Sequence, residues 1–280
     1  MALGIIEKLQ PEKIEENIYR GAAFGSEKGT VFGGFVLGQA VKACGMTVPE
    51  DRALHSLHSY FILPGDATAP IVYNVDRIRD GRSFATRRVV AIQHGRPIFN
   101  LSASFQIQED GLSHQVGKPA VPGPENFESV HVAMKKNPDP ARFWIHYITQ
   151  QLHPLDFRIV QPIDKDTFPI RKHVWLKFGQ TLPDDLLLHQ SILACASDYT
   201  FLGSSLEPHR KQDPNLKFKL ATIDHAIWLH RPFRIDEWLL FSHESHNAYG
   251  ARGFNQGHIF GQDGTLIASL TQENLMRVYD

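Results

Sequence analysis

The amino-acid sequence predicts an α+β chain made of two copies of one unit, each a buried helix wrapped by an antiparallel sheet. Three observations predict it. The same order of segments, one helix followed by three or four long strands, is read twice along the chain. Short stretches recur in register: His58-Ser59-Tyr60-Phe61 with His225-Ala226-Ile227-Trp228, Arg82-Ser83-Phe84 with Arg252-Gly253-Phe254, and Gln93-His94-Gly95 with Gln262-Asp263-Gly264. Their spacing drifts by only a few residues, as loop insertions cause. Finally, the helix of the second copy is apolar on every side, the mark of a helix that is enclosed rather than laid on a surface.

The first copy occupies residues 1–111. Its helix is read in VFGGFVLGQAVKACG and its strands in HSLHSYFIL and in the long stretch PIVYNVDRIRDGRSFATRRVVAIQHGRPIFNLSASFQIQ. Gln93-His94-Gly95 sits between strand-like runs, where the glycine supplies the positive φ of a hairpin. Residues 112–154 form a linker that opens on the proline-rich KPAVPGPENF, closes on an amphipathic helix in PARFWIHYITQQ, and is expected to pack on the outside. The second copy, 155–280, has its helix in PDDLLLHQSILACASDYTFLG. Pro183 suits the first turn, Asp184 and Asp185 suit the positive end of the dipole, and Gly203 suits the end. Leu188, Ile192, Cys195, Tyr199 and Leu202 form one stripe, flanked by Leu193 and Ala196. A buried helix in a curved antiparallel sheet is a hotdog, and two in one chain are a double hotdog.

Composition narrows the function classes. The 280 residues are 42% hydrophobic and 21% charged with a formal net charge of −1, which is normal for a soluble globular protein with a substantial core. No global field draws nucleic acid or an anionic membrane, and no apolar run reaches the length of a membrane span. The N-terminus carries charges too early for a signal peptide, and the C-terminal MRVYD is not a peroxisomal address, so a cytoplasmic location is expected. Cys44 and Cys195 sit in apolar helical stretches and read as buried free thiols. Fifteen histidines prompt a search for metal spacing. His55/His58 and His243/His246 lie three apart, but without an HExxH helix or clustered cysteines they read as core or surface residues, and neither metal nor cofactor is expected.

The chemistry is sought where the two copies differ. Along the last strand Leu266, Ala268, Leu270, Gln272 and Met276 share one face. The hairpin match places Pro97, Phe99, Leu101, Ala103 and Ile107 at the corresponding positions of the first copy, so an amide stands where the first copy has Ala103. Asp198, the lone carboxylate of the apolar helix, maps near Gln39 or Ala40. An unpaired carboxylate in apolar surroundings is costly, and its presence in one copy only marks Asp198 and Gln272 as a candidate site. Each could also cap a strand or fill a bulge.

The motifs VFGGFVLGQA, HSLHSYFILPGD, GRSFATRRVVAIQHGRPIF, ASDYTFL, ATIDHAIWLHRPFR, EWLLF, ARGF and QDGTLIAS with its following QE cover nearly the whole chain. In them the sequence resembles the acyl-CoA thioesterase II family, whose members are double hotdogs. The resemblance implies hydrolysis of acyl-CoA, of medium to long chain, by a water held between an Asp, a Thr or Ser and a Gln. These fall on Asp198, Thr222 and Gln272. Thr222 rests on the resemblance alone, because alternation along ATIDHAIWL does not select it. Asp198 is then the general base or the group orienting the water, and Thr222 and Gln272 hold that water in line. Burial raises the pKa of Asp198 and hydrogen bonds lower it, and the sequence does not say which wins. Backbone amides near Gly33 and Gly34 are candidate oxyanion donors. His58 and His225, matched between the copies, read as structural. Arg82 and Arg252 either meet coenzyme A phosphates or lie on the surface. Two rival readings are a non-catalytic acyl-CoA or lipid binder and an enoyl-CoA hydratase. The second needs an Asp and a His together, and GDATAP imitates only the start of that loop. Two hotdogs in one chain imitate a dimer of single ones, and a dimer or tetramer of the chain is expected through sheet edges.

Overall fold

A computed structural model describes residues 4–25, 29–136, 143–160, 171–213 and 216–279, without the side chains of 143–146 and 211. After the short α1 (Ile5–Lys8), strands β1 (Glu12–Glu15) and β2 (Ile18–Gly21) precede α2 (Gly33–Gly45). Then follow β3 (Arg52–Phe61), β4 (Ile71–Asp80), β5 (Phe84–Gln93) and β6 (Arg96–Ile107). The linker carries α3 (Val130–Lys136) and α4 (Phe143–Gln151). The second copy runs β7 (Leu155–Val160), β8 (Arg171–Phe178), α5 (Leu186–Phe201), α6 (Glu207–Gln212), β9 (Lys217–Thr222), β10 (Asp224–Leu229), β11 (Leu239–Tyr249), β12 (Arg252–Gly261) and β13 (Leu266–Tyr279).

The strands join in one antiparallel sheet of order β1-β2-β4-β5-β6-β3-β10-β13-β12-β11-β8-β7, with β9 also on β13. The two copies meet at its centre, where Ala226 of β10 faces His58 of β3. In each copy the helix is followed by its long strands as expected, and the structure adds two strands ahead of it, β1 and β2 in the first copy and β7 and β8 in the second. Strands β1, β2 and β7 are only four to six residues long, and β8 is buried on both faces at Val174, Trp175 and Leu176, so it lacks the alternation that marks a strand. The two hairpin turns stand as expected, with positive φ at His94, Gly95 and Gly264.

Helices α2 and α5 lie against each other, antiparallel, on one face of the sheet. A Cβ on Gly34 would lie 2.4 Å from the Cys195 carbonyl oxygen, and one on Gly38 would lie 2.9 Å from that of Ser191. The glycines set this approach, and the residues of α2 from Gly34 to Cys44 are all buried. Both cysteines are buried free thiols, and burial pushes that of Cys44 up to about 12. One apolar cluster spans both copies, as a shared core between adjoining helices requires.

Helix α5 starts later than the sequence suggests. Asp185 is its N-cap and accepts from the Leu188 N–H at 3.1 Å, so Pro183 lies ahead of the helix. Gly203 does not close it in the left-handed region, since Leu202 caps it in the right-handed one. The linker also goes deeper than expected. Helix α4, described from Phe143 (residues 140–142 of its motif lie outside the described residues), puts Ile148 into the main core, and Leu152, just after its end, follows. Upstream, Val121 and Phe127 cover the outer-face cluster of Trp175, Leu240 and Phe260, and the Trp175 indole donates to the Pro122 carbonyl at 2.9 Å.

The helix contact predicts the sign of one substitution. Alanine at 38 gains about 1 kcal/mol of helix propensity but drives its methyl into Leu9, Ser191 and Cys195. Gly38→Ala is expected to lose about 1–3 kcal/mol net, read as a lower urea midpoint at unchanged slope. A raised midpoint would show that the helices leave room there.

Candidate active site

The polar residues near the start of α5, His189, Gln190 and Ser191, are buried and bonded. Gln190 donates to the Leu54 carbonyl at 2.9 Å, Ser191 donates to the Leu187 carbonyl at 2.7 Å, and His189 accepts from the Ile235 N–H at 3.1 Å. Asp198 is 6% exposed. Its Oδ1 accepts from the Thr222 hydroxyl at 3.0 Å, and its carboxylate also accepts from the backbone N–H of Gly34. A Cβ on Gly33 would stand 3.0 Å from Asp198 Oδ2. The N-terminus of the first copy's helix thus closes on the carboxylate of the second copy, where its positive dipole end favours negative charge.

Counted from its first residue, Asp198 is the thirteenth residue of α5, and Gly45 is the thirteenth and last of α2. Gly45 packs on Leu187 at the start of α5 as Asp198 packs on Gly33. The counterpart of the carboxylate is therefore Gly45 and not Gln39 or Ala40. Gln39 serves a separate purpose, accepting from the Tyr73 hydroxyl at 2.6 Å and donating to the Lys8 and Ala22 carbonyls.

Thr222 reaches Asp198 because the strand is bulged. Thr222 faces Asn274, while further along Ala226 faces Thr271, one residue out of step. The extra residue falls at Ile223 and Asp224, and the Asp224 carboxylate takes the place of a strand carbonyl by accepting the Glu273 N–H at 2.8 Å. Without the bulge Thr222 would share the outer face of Ala226 and Trp228. With it, Thr222 joins the face of His225 and Ile227. A bulge re-aims side chains in this way, and for that reason alternation did not select Thr222.

Gln272 is fully buried and donates through Nε2 to Thr222 Oγ1 at 3.1 Å, while its Oε1 lies 3.0 Å from His225 Nδ1. His225 Nε2 is 3.0 Å from Ser197 Oγ. The structure therefore brings Asp198, Thr222 and Gln272 into one row and extends the row by His225 and Ser197. Gln272 corresponds to Ala103, whose cross-strand partner is Leu57, so the polar pair His225–Gln272 stands where the first copy has an apolar pair. His225 thus answers to Leu57. The sequence match with His58 is one residue off, and such a slip changes the face: His58 is exposed, with its ring edge-on to Trp228.

Burial decides the charge. Desolvation lifts Asp198 to about 6 against the pull of the Thr222 and Gly34 hydrogen bonds. Burial lowers His225 to about 4 against the Gln272 bond, so at neutral pH it is an uncharged imidazole. The remaining candidates lie elsewhere. The Gly34 N–H is engaged by Asp198, which removes it from the oxyanion donors. Arg252 pairs with Glu273 at 2.9 Å on the surface, and Arg82 is exposed. Asp66 of GDATAP does meet a histidine, His94, at 2.9 Å, but in an exposed turn. Among the described residues no group of three His, Cys, Asp or Glu is placed to hold a metal ion.

Comparison with known proteins agrees with this architecture. The family model described as acyl-CoA thioesterase matches residues 153–275, and the one described as acyl-CoA thioesterase N-terminal domain matches residues 24–106. The chain is 40% identical to acyl-CoA thioesterase 2 of Haemophilus influenzae over 98% of this chain and 96% of that protein. It superposes on the crystal structure of the acyl-CoA thioesterase II TesB2 of Mycobacterium marinum with a TM-score of 0.83 at 39% identity, covering 99% of each chain. A hot dog fold protein from Alicyclobacillus acidocaldarius matches with a TM-score of 0.79 at 18% identity, covering 100% of each chain, and shows the fold alone.

The raised pKa of Asp198 makes a prediction about stability. Between about pH 4 and 6 the folded chain keeps a proton on this carboxyl that the unfolded chain has released, so stability falls as pH rises through that window. At pH 8 the buried charge costs about 2–3 kcal/mol. Asp198→Asn is expected to be more stable than wild type by roughly that amount at pH 8, with the gain fading toward pH 4 in urea titrations. A gain that is absent at pH 8, or equal at both pH values, would contradict the assignment.

Proposed function

The chain belongs to the acyl-CoA thioesterase II family and hydrolyses acyl-CoA thioesters, and on that premise we propose that the row of Asp198, Thr222 and Gln272 holds and activates the attacking water. The observation that carries this reading is the buried carboxylate itself, bonded by Thr222 at 3.0 Å and lifted to about 6. A carboxylate with a pKa near the working pH accepts a proton effectively and gives it up again.

Asp198 takes one proton from water as the oxygen attacks the thioester carbonyl carbon. The tetrahedral intermediate collapses with loss of the coenzyme A thiolate, and the proton held by Asp198 passes to that sulfur. Water and acyl-CoA thus give fatty acid and coenzyme A, with no covalent enzyme intermediate. Thr222 and Gln272 fix the direction of the carboxylate lone pairs and the place of the water, which converts an encounter into a positioned attack. Phe61, whose ring meets that of Phe99 edge-on at 5.0 Å between centroids and adjoins Gly33, gives the site an apolar wall that suits a medium to long acyl chain.

The proposal extends to a cytoplasmic location, in keeping with two buried reduced thiols, and to a dimer or tetramer. Among the described residues the edge strands β1 and β7 each pair on one side only and supply a motive for self-association. Among the described residues no helix is long and apolar enough to cross a membrane.

Release of free thiol from a panel of acyl-CoA chain lengths tests the reading. Asp198→Asn is expected to lower kcat by on the order of 10²–10⁴ on every substrate that wild type cleaves. Wild-type turnover in that variant would remove Asp198 from the chemistry, and hydration of crotonyl-CoA by the wild type would favour the hydratase.

A further inference from the structure

We propose that His225 and Ser197 are positioning residues for hydrolysis: together they hold the Gln272 amide in the orientation that makes the Thr222 hydroxyl donate to Asp198. The inference rests on the reading of Asp198 as the base and adds two groups to the reaction that touch neither water nor substrate.

The argument is a count of protons. An ionised carboxylate only accepts, so Thr222 spends its single proton on Asp198 Oδ1. The Thr222 oxygen is then an acceptor, and the amide nitrogen of Gln272 is the donor that meets it at 3.1 Å. That turns Gln272 Oε1 toward His225 Nδ1 at 3.0 Å, and this nitrogen must carry the imidazole proton. The Nε2 of a neutral ring is then bare, and Ser197 Oγ at 3.0 Å donates into it. Ser197 Oγ also lies 3.0 Å from the Ala194 carbonyl. Its one proton is divided between that carbonyl, to which it donates, and the bare Nε2, so Ser197 is the weaker of the two supports.

Remove the donor at 225 and the amide loses the group that distinguishes its two ends. Turned over, Gln272 would present Oε1 to Thr222 and compete with Asp198 for the hydroxyl proton. The carboxylate would then lose a hydrogen bond and become harder to ionise. Water does not make good the loss easily, since Ser197, His225 and Gln272 are each 0% exposed. The Phe201 ring stands edge-on to the imidazole at 5.9 Å and fixes its plane. Titratable neighbours are few. The Cys195 thiol on α5 stays protonated through burial and the charge of Asp198. His243, on the other side of Phe201, stays neutral through burial. Asp224 directs its carboxylate to the Glu273 N–H.

The test compares His225→Phe, His225→Asn and Ser197→Ala with wild type and Asp198→Asn in thiol-release assays across pH. His225→Phe is expected to lower kcat by on the order of 10², with KM changed less than about twofold because the group does not touch substrate. It should also move the acid limb of kcat/KM to higher pH. His225→Asn restores an N–H near the Nδ1 position and should recover most of kcat and the limb. Ser197→Ala removes only a hydroxyl, keeps the test open if phenylalanine at 225 spoils folding, and should show a smaller drop with the same limb shift. Wild-type kcat and limb in His225→Phe would overturn the inference, as would a His225→Asn enzyme damaged equally at the same folded fraction by circular dichroism. An inactive Asp198→Asn beside an unimpaired His225→Phe defeats the positioning claim alone. An active Asp198→Asn defeats the base assignment and this claim with it.

Discussion

A negative charge buried between two helices is the constraint on which the rest of this structure depends. Asp198 has the N-terminus of α2 on one side and Thr222 on the other. The first is available only because α2 and α5 approach through glycine, and the second only because a strand is bulged. Desolvation still outweighs both and leaves the carboxyl near 6. A fold selected for stability alone would place an apolar or small residue there, as the first copy does with Gly45. The charge is tolerated in the second copy because three elements from both halves converge on it.

Duplication explains how one copy could take on the cost. The halves share the helix, the hairpins and the central strand pair, and they differ in the row that leads inward from Asp198. Leu57 and Ala103 become His225 and Gln272, and Gly45 becomes Asp198. The first copy keeps its own buried polar groups for structure. Arg87 is fully buried, bonds Thr47 at 2.9 Å and pairs with the Asp80 carboxylate, so it ties a strand to the end of α2. The first copy still contributes to the site by supplying Gly33 and Gly34. Both halves therefore converge on the one candidate site.

Much of this was legible in the sequence because it is written in periodicity. The enclosed helix, the inward face of β13 and the turns at Gly95 and Gly264 follow from apolar spacing and glycine placement. The asymmetry at Gln272 followed from comparing hairpins. Three features escaped for physical reasons. The bulge at Ile223 leaves no compositional mark, since its device is the side chain of Asp224 bonding a distant strand. His225 was matched with His58 by letter identity, and only the pairing of β3 with β6 shows that Leu57 is the true counterpart. The Gly34 N–H looked free for an oxyanion because nothing in the sequence tells which helix end faces Asp198.

The central claim is that Asp198 is a buried carboxyl whose ionisation controls attack by water. The direct measurement is its titration in the folded enzyme by carbon-13 NMR of the side-chain carboxyl, set beside the pH profile of kcat/KM. The account predicts that the carboxyl titrates near 6 and that the acid limb of the profile follows it. A carboxyl that titrates at an ordinary aspartate value near 4, or a limb that ignores its titration, would contradict it.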